Sequence, residues 1–174
     1  MYSKHKLGIA GLEAAFRRIA ATRMAGLPIS HPRLTVESVG FRLWEGKWLG
    51  VLVTPWAVNL VLLPGDDTEF EKLAVDRRQT WRFPSGDFDF MGGDEEECGA
   101  YQFCSLLSPI PEAETTDQEA ARALAEEVLA KLFVDPDEEV VMMPAREDTP
   151  RRSLLSGRLS RRGFLSGGLL AARD

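Results

Sequence analysis

Nucleophilic, redox or metal chemistry in this 174-residue chain would fall first to two histidines and two cysteines. His5 lies in a charged terminus and His31 in a proline-rich loop. A Ser-His-Asp or Cys-His arrangement needs a base held beside its nucleophile, and no sequence feature points to one. Cys98 and Cys104 do not form a CxxC pair, and in one extended strand they would stand about 20 Å apart, beyond disulfide reach. A structural zinc needs four ligands in close-spaced pairs, which are absent. Cys104 reads as a small buried residue, and Cys98 as a loop residue beside acids that would raise its pKa. Gly8–Gly11 and Gly92-Gly93 lack the strand–loop–helix context and the Lys-Ser/Thr ending of a phosphate-binding loop. The pairs Asp87/Asp89 and Glu95/Glu96 read as a solvated hairpin edge. The expectation is a protein with no catalytic residue, cofactor or metal, which acts by binding.

Binding chemistry has better candidates. The stretch Trp48–Gly65, WLGVLVTPWAVNLVLLPG, holds two apolar runs, Leu49–Val53 and Leu60–Leu63, with the length and composition of buried strands. Pro55 lacks a backbone donor and marks the crossing between them. Trp56 sits at that break. Its ring either folds back to cap the core or stays half-exposed as an anchor for a partner peptide, with Asn59 beside it. The net charge of −6 is unevenly spread: from Arg146 onward, seven arginines against Glu147, Asp148 and Asp174 leave +4, so residues 1–145 carry −10. An acidic body is unsuited to nucleic acid, whose phosphates demand a positive face. It suits a basic peptide, with Asp66–Glu71 and the Asp94–Glu97 loop, notably Glu95, Glu96 and Glu97, as the contact.

The elements that must position these residues follow from periodicity. Residues 9–25 read as an amphipathic helix with Ile9, Leu12, Phe16, Ile19 and Ala20 inward and Gly26 as its stop. Strands are expected at Leu34–Leu43, with a bulge at Gly40, then in the central run, Arg78–Phe83, Asp87–Met91 and Gly99–Leu107. Gly46 supplies a positive φ to a hairpin whose flanking residues, Trp44 and Trp48, can face each other across the strands. Gly92–Glu97 is expected to be a flexible acidic loop. A second helix spans about Asp117–Phe133, capped by Thr116 with Glu119, its buried stripe being Ala121, Leu124, Val128 and Leu132. The resulting expectation is one α+β domain over residues 1–145, a two-layer sandwich whose antiparallel sheet carries both helices on one face. Residues 146–174 read as an Arg-rich, flexible tail. No apolar run reaches the ~18 residues of a membrane helix, and the N-terminus turns charged too early for a signal core, so a cytoplasmic protein is expected, with no direct membrane insertion.

The tail carries Ser160-Arg161-Arg162-Gly163-Phe164-Leu165, which matches the twin-arginine export pattern at the wrong end of a chain. It reads either as a chance match or as an imitation of a true twin-arginine signal through Arg161, Arg162, Phe164 and Leu165. Three further strings, RMAGLP (Arg23–Pro28), GFRLW with WLGVLVTPWAVNLVLLPG (Gly40–Gly65), and YQFCSLLSP (Tyr101–Pro109), resemble the HybE/HupJ family of nickel–iron hydrogenase assembly chaperones. The resemblance runs through most of residues 10–133. It implies an α+β sandwich and a non-enzymatic cytoplasmic accessory protein. Its partners would be the hydrogenase small-subunit precursor, which carries a twin-arginine signal, the large subunit and other maturation factors. The alternative is a redox or metal-cluster-protecting factor using Cys98 or Cys104.

Overall fold

The computed structural model describes residues 4–65 and 70–139. The tail 146–174, with Arg161, Arg162, Phe164 and Leu165, lies outside the described residues, as do residues 66–69. Helix α1 (Lys4–Ala21) is followed by strands β1 (Glu37–Trp44), β2 (Lys47–Thr54), β3 (Ala57–Leu63), β4 (Arg78–Phe83), β5 (Gly86–Glu95) and β6 (Gly99–Leu107). Helix α2 (Gln118–Leu132) and the single turn α3 (Pro136–Glu139) complete the order. The strands form one sheet in the order β1-β2-β3-β6-β5-β4, with every neighbouring pair antiparallel. The α+β class and the antiparallel sheet are as expected.

The placement of the helices is not. All seven residues of β3 are buried, as is β2 from Leu49 to Thr54, so this hairpin is covered on both faces. Leu49, Val51, Val53, Leu60 and Leu62 pack with Ala121, Leu124, Ala125, Val128, Leu129 and Leu132 of α2. Leu52, Val61 and Leu63 turn the other way and pack with Leu12 of α1 and Tyr101. The two helices therefore lie on opposite faces, giving three layers where two were expected. The continuous apolar run, which does not alternate, is the physical reason.

Local chemistry explains the joints. At the β2–β3 turn the Thr54 hydroxyl donates to Ala57 O and accepts from Ala57 N–H, both at 3.1 Å, which closes a two-residue Pro55-Trp56 connection. Glu45 and Gly46, with φ of 46° and 76°, make the primed turn that suits twisted strands. The ladder shifts register between Val39 and Arg42, and Gly40 in that interval has a φ of 64°, as the expected bulge requires.

Several expectations need correction. Helix α1 ends at Ala21, where the Thr22 hydroxyl donates to Arg18 O and Met24 N–H to Ile19 O; Gly26 lies beyond it in the following turns. Trp44 pairs with Lys47 and Trp48 with Leu43, so the tryptophans occupy opposite faces. Asp117, not Thr116, caps α2 by accepting from Ala120 N–H at 2.8 Å. Strand β5 continues to Glu95, so the acidic segment is half strand.

Helix α1 reaches its face only because Gly11 is small. A Cβ at Gly11 would drive into the carbonyl oxygen of Glu97, whereas a Cβ at Gly8 would come no closer than 4.0 Å to Leu63. Gly8→Ala should stabilise by about 0.5–1 kcal/mol through helix propensity alone. Gly11→Ala gains the same propensity but must displace backbone, an overpacking cost of about 1–3 kcal/mol. Urea unfolding should place the two midpoints on opposite sides of the wild type; a gain at both positions would overturn the close approach.

Candidate partner-binding end of the sheet

Three segments far apart in sequence meet at one end of the central hairpin. They are the loop between α1 and β1, the Pro55-Trp56 turn, and the end of β6. The His31 N–H donates to Pro55 O at 2.6 Å, and the Ser108 hydroxyl donates to Trp56 O at 2.9 Å. Ser108–Pro109 is a cis peptide. The Trp56 ring is half-buried, stacked on Phe16 of α1 with centroids 6.4 Å apart, and Phe16 meets Tyr101 edge-on at 5.9 Å. Trp56 thus both caps the α1 layer and keeps part of its ring at the surface. Asn59, by contrast, is 6% exposed within β3 and presents nothing to solvent.

The α1–β1 loop supplies what the sequence reading missed. Leu27 and Ile29 are 43% and 45% exposed, two bulky apolar side chains flanking Pro28. The signal was available as apolar residues in a proline-bounded loop with no partner face. His31 is 5% exposed; its Nδ1 accepts from Arg33 N–H at 3.1 Å, while Nε2 has no hydrogen-bond partner. A buried donor left unmade costs on the order of 1–3 kcal/mol, so this one calls for a reason.

The acidic turn between β5 and β6 is occupied by the chain itself. Arg18 donates to Glu97 at 2.6 Å and to Glu95 at 2.9 Å, and Arg23 donates to Glu95 at 2.7 Å. The Arg18 hydrogen bond holds the Glu97 carboxyl down at about 2, and the same contacts raise Arg18. For Glu95, burial pushes the carboxyl up, but the hydrogen bonds from Arg23 and Arg18 outweigh it and leave it below the usual range. Glu96 is exposed and makes no ion pair among the described residues. The three glutamates are therefore not equivalent.

Cys98 is half-buried in that turn, with its thiol pushed up to about 11, first by burial and then by the Glu95 charge. Cys104 is buried in the core beneath α2. Among the described residues, no group of three or more His, Cys, Asp or Glu could hold a metal ion. The Pro55-Trp56 end offers apolar contact; the acidic turn, where β6 begins at the other end of the strands, offers charge.

A family model described as NiFe-hydrogenase assembly, chaperone, HybE matches residues 8–167. HoxT of Cupriavidus necator is 38% identical over 168 residues, covering 90% of this chain and 86% of HoxT. The hydrogenase expression/formation protein HupJ of Bradyrhizobium diazoefficiens is 37% identical, covering 87% of this chain and 88% of its own. The solution structure of HybE from Escherichia coli superposes with a TM-score of 0.61 at 30% identity, covering 87% of this chain and 90% of that one.

A lowered carboxylate contributes stability above its unfolded value and loses it as pH falls through the folded one. For Glu97 that window runs from about pH 4.5 down to about 2, so the link to Arg18 should survive at pH 4 and open only as pH falls through about 2. Carboxyl NMR titration of Arg18→Ala should return Glu97 toward the ordinary range. An unmoved Glu97 would show that its backbone hydrogen bond, not Arg18, is decisive.

Proposed function

Because the chain belongs to the HybE family of NiFe-hydrogenase assembly chaperones, we propose that it is a non-enzymatic cytoplasmic holding factor for the hydrogenase small-subunit precursor. It delays export of that precursor, which bears a twin-arginine signal, until assembly is complete. The large subunit is a further partner of the same assembly. The observation that carries this reading is that the Pro55-Trp56 turn is held from two sides: the His31 N–H, just after Arg23–Pro28, donates to Pro55 O, and the Ser108 hydroxyl, near the close of Tyr101–Pro109, donates to Trp56 O. The turn and Ser108 belong to strings that carry the family resemblance. Trp56 supplies the apolar contact there.

The client's arginine pair meets the acidic turn. Glu96 is the group that can take it without exchange, because Glu95 and Glu97 are already held by Arg18 and Arg23 and Asp94 by Lys72. Displacing those arginines swaps one guanidinium for another, with little net change in charge pairing. The chain's own Arg161, Arg162, Phe164 and Leu165 compete for the same surface as a tethered mimic at high effective concentration. A thiol held near 11 is a poor nucleophile and metal ligand at neutral pH, which counts against the redox reading of Cys98.

Small-subunit precursor should be captured by this protein as bait, and capture should fall when the twin-arginine segment is removed. No capture of precursor, with or without its segment, would sink the proposed function. Deleting residues 157–174 should tighten precursor binding by about tenfold or more. Unchanged or weaker binding would remove the mimic while leaving the client assignment standing.

A further inference from the structure

The loop joining α1 to β1 holds features that recognition of an arginine pair does not use. Among the described residues, only five large hydrophobic side chains are substantially exposed, and two of them, Leu27 and Ile29, stand two positions apart on this loop. His31 follows, nine-tenths buried, its backbone N–H tied to Pro55 O beside Trp56. Because Nδ1 accepts from Arg33 N–H, the ring proton sits on Nε2, at the far edge of the imidazole, where it has no acceptor. The loop itself is basic in sequence, and most of that charge is paired. Residues 13–33 carry Arg17, Arg18, Arg23 and Arg33 against Glu13 alone. Arg17 is paired with Glu13, and Arg18 and Arg23 with the acidic turn, while Arg33 is exposed and makes no ion pair among the described residues.

We propose that Leu27, Ile29 and Trp56 form a second docking surface, whose occupant is an apolar segment of a client polypeptide flanked by a carboxylate. This extends the client-holding reading above, because it assigns contact to a part of the client other than its basic signal. The apolar side chains of the segment cover Leu27 and Ile29 and the open part of the Trp56 ring. His31 Nε2–H, buried without an acceptor on this loop, is the donor assigned to a backbone carbonyl of the segment. The flanking carboxylate meets Arg33. A basic flank is disfavoured here because it would bring like charge to Arg33. Each element of the site thereby finds a complement in one ligand chemistry: apolar area, one acceptor, one negative charge.

The test does not depend on the precursor. The full-length protein, labelled with 15N, is titrated with two synthetic peptides that share one Leu- and Ala-rich centre and differ only in Glu or Arg flanks. Shifts confined to Leu27–Arg33 and the Trp56 indole are expected, with the Glu-flanked peptide bound about tenfold tighter. The His31 Nε2–H proton should move downfield in that complex, a signature that mere packing would not give. Arg33→Glu should abolish the preference between flanks. Leu27→Ser with Ile29→Ser changes only exposed positions and should lower affinity about tenfold with unfolding unchanged. His31→Phe removes the donor and His31→Gln keeps one near Nε2; the first should bind about tenfold more weakly than the second. Equal or tighter binding of the Arg-flanked peptide, or shifts located on the acidic turn, would overturn the proposal and assign this end to the signal itself. No shift at millimolar peptide would overturn it outright, whatever precursor capture shows.

Discussion

Two-sided burial of the β2–β3 hairpin is the constraint from which the other layers follow. A Leu or Val moved from water into a core contributes about 1.5–3 kcal/mol. Leu52, Val61 and Leu63 alone would expose several kcal/mol of apolar surface if the α1 face were bare, a large part of the ~5–15 kcal/mol that holds a typical domain together. The chain answers with one helix from before the sheet and one from after it. Helix α2 docks by size matching, with six buried side chains on one stripe. Helix α1 docks by close approach at Gly11 and by polar stitching: Glu13 accepts from Ser38 N–H at 3.0 Å and from its hydroxyl.

That asymmetry explains what the sequence disclosed. Helix α2 was legible almost to its ends, because its period and its Thr-Thr-Asp start are local signals. Strand β6 was legible in full, and Gly40 and Gly46 announced their bends because few other residues adopt their φ. The opposite placement of the helices was not inferred, although the unbroken apolar run contained the clue: a strand with one wet face must alternate, and β3 does not. The end of α1 was misjudged because a glycine stop was given precedence over the Thr22 and Met24 hydrogen bonds, which no pattern announces. At the candidate site Trp56 was visible as an oddity of type and position. Leu27, Ile29 and His31 were not, since their significance is their exposure or burial and depends on a loop's path.

Charge shows the limit of composition more sharply. A body at −10 suggests an anionic face waiting for a cation. Folding consumes part of it: Arg18 and Arg23, nearly eighty residues away from their acids, neutralise Glu95 and Glu97. The same pairing fastens the end of α1 and its following loop to the β5–β6 turn. The ion pairs are exposed, so their direct worth to stability is small. Their larger effect is on placement, because they tie the start of the α1–β1 loop to the acidic turn while its far end is tied to Pro55.

A chaperone that must release its client cannot grip through a large dry interface, and the geometry here is consistent with a modest one. Covering two half-exposed aliphatic side chains contributes on the order of 2 kcal/mol, against about 8 kcal/mol for a micromolar complex. No single patch at this end supplies the difference. Affinity must be assembled from the Trp56 ring, the loop and charge together, each weak alone and each lost when the client's folding or pairing hides its own segment. A rigid platform makes such weak contacts add, because ordering has largely been met on folding. The Thr54–Ala57 bonds fix the Trp56 turn at the tip of the most buried element, and the loop hangs from that turn by the His31–Pro55 bond. A fixed tip with exposed apolar side chains beside it is what such a hold requires.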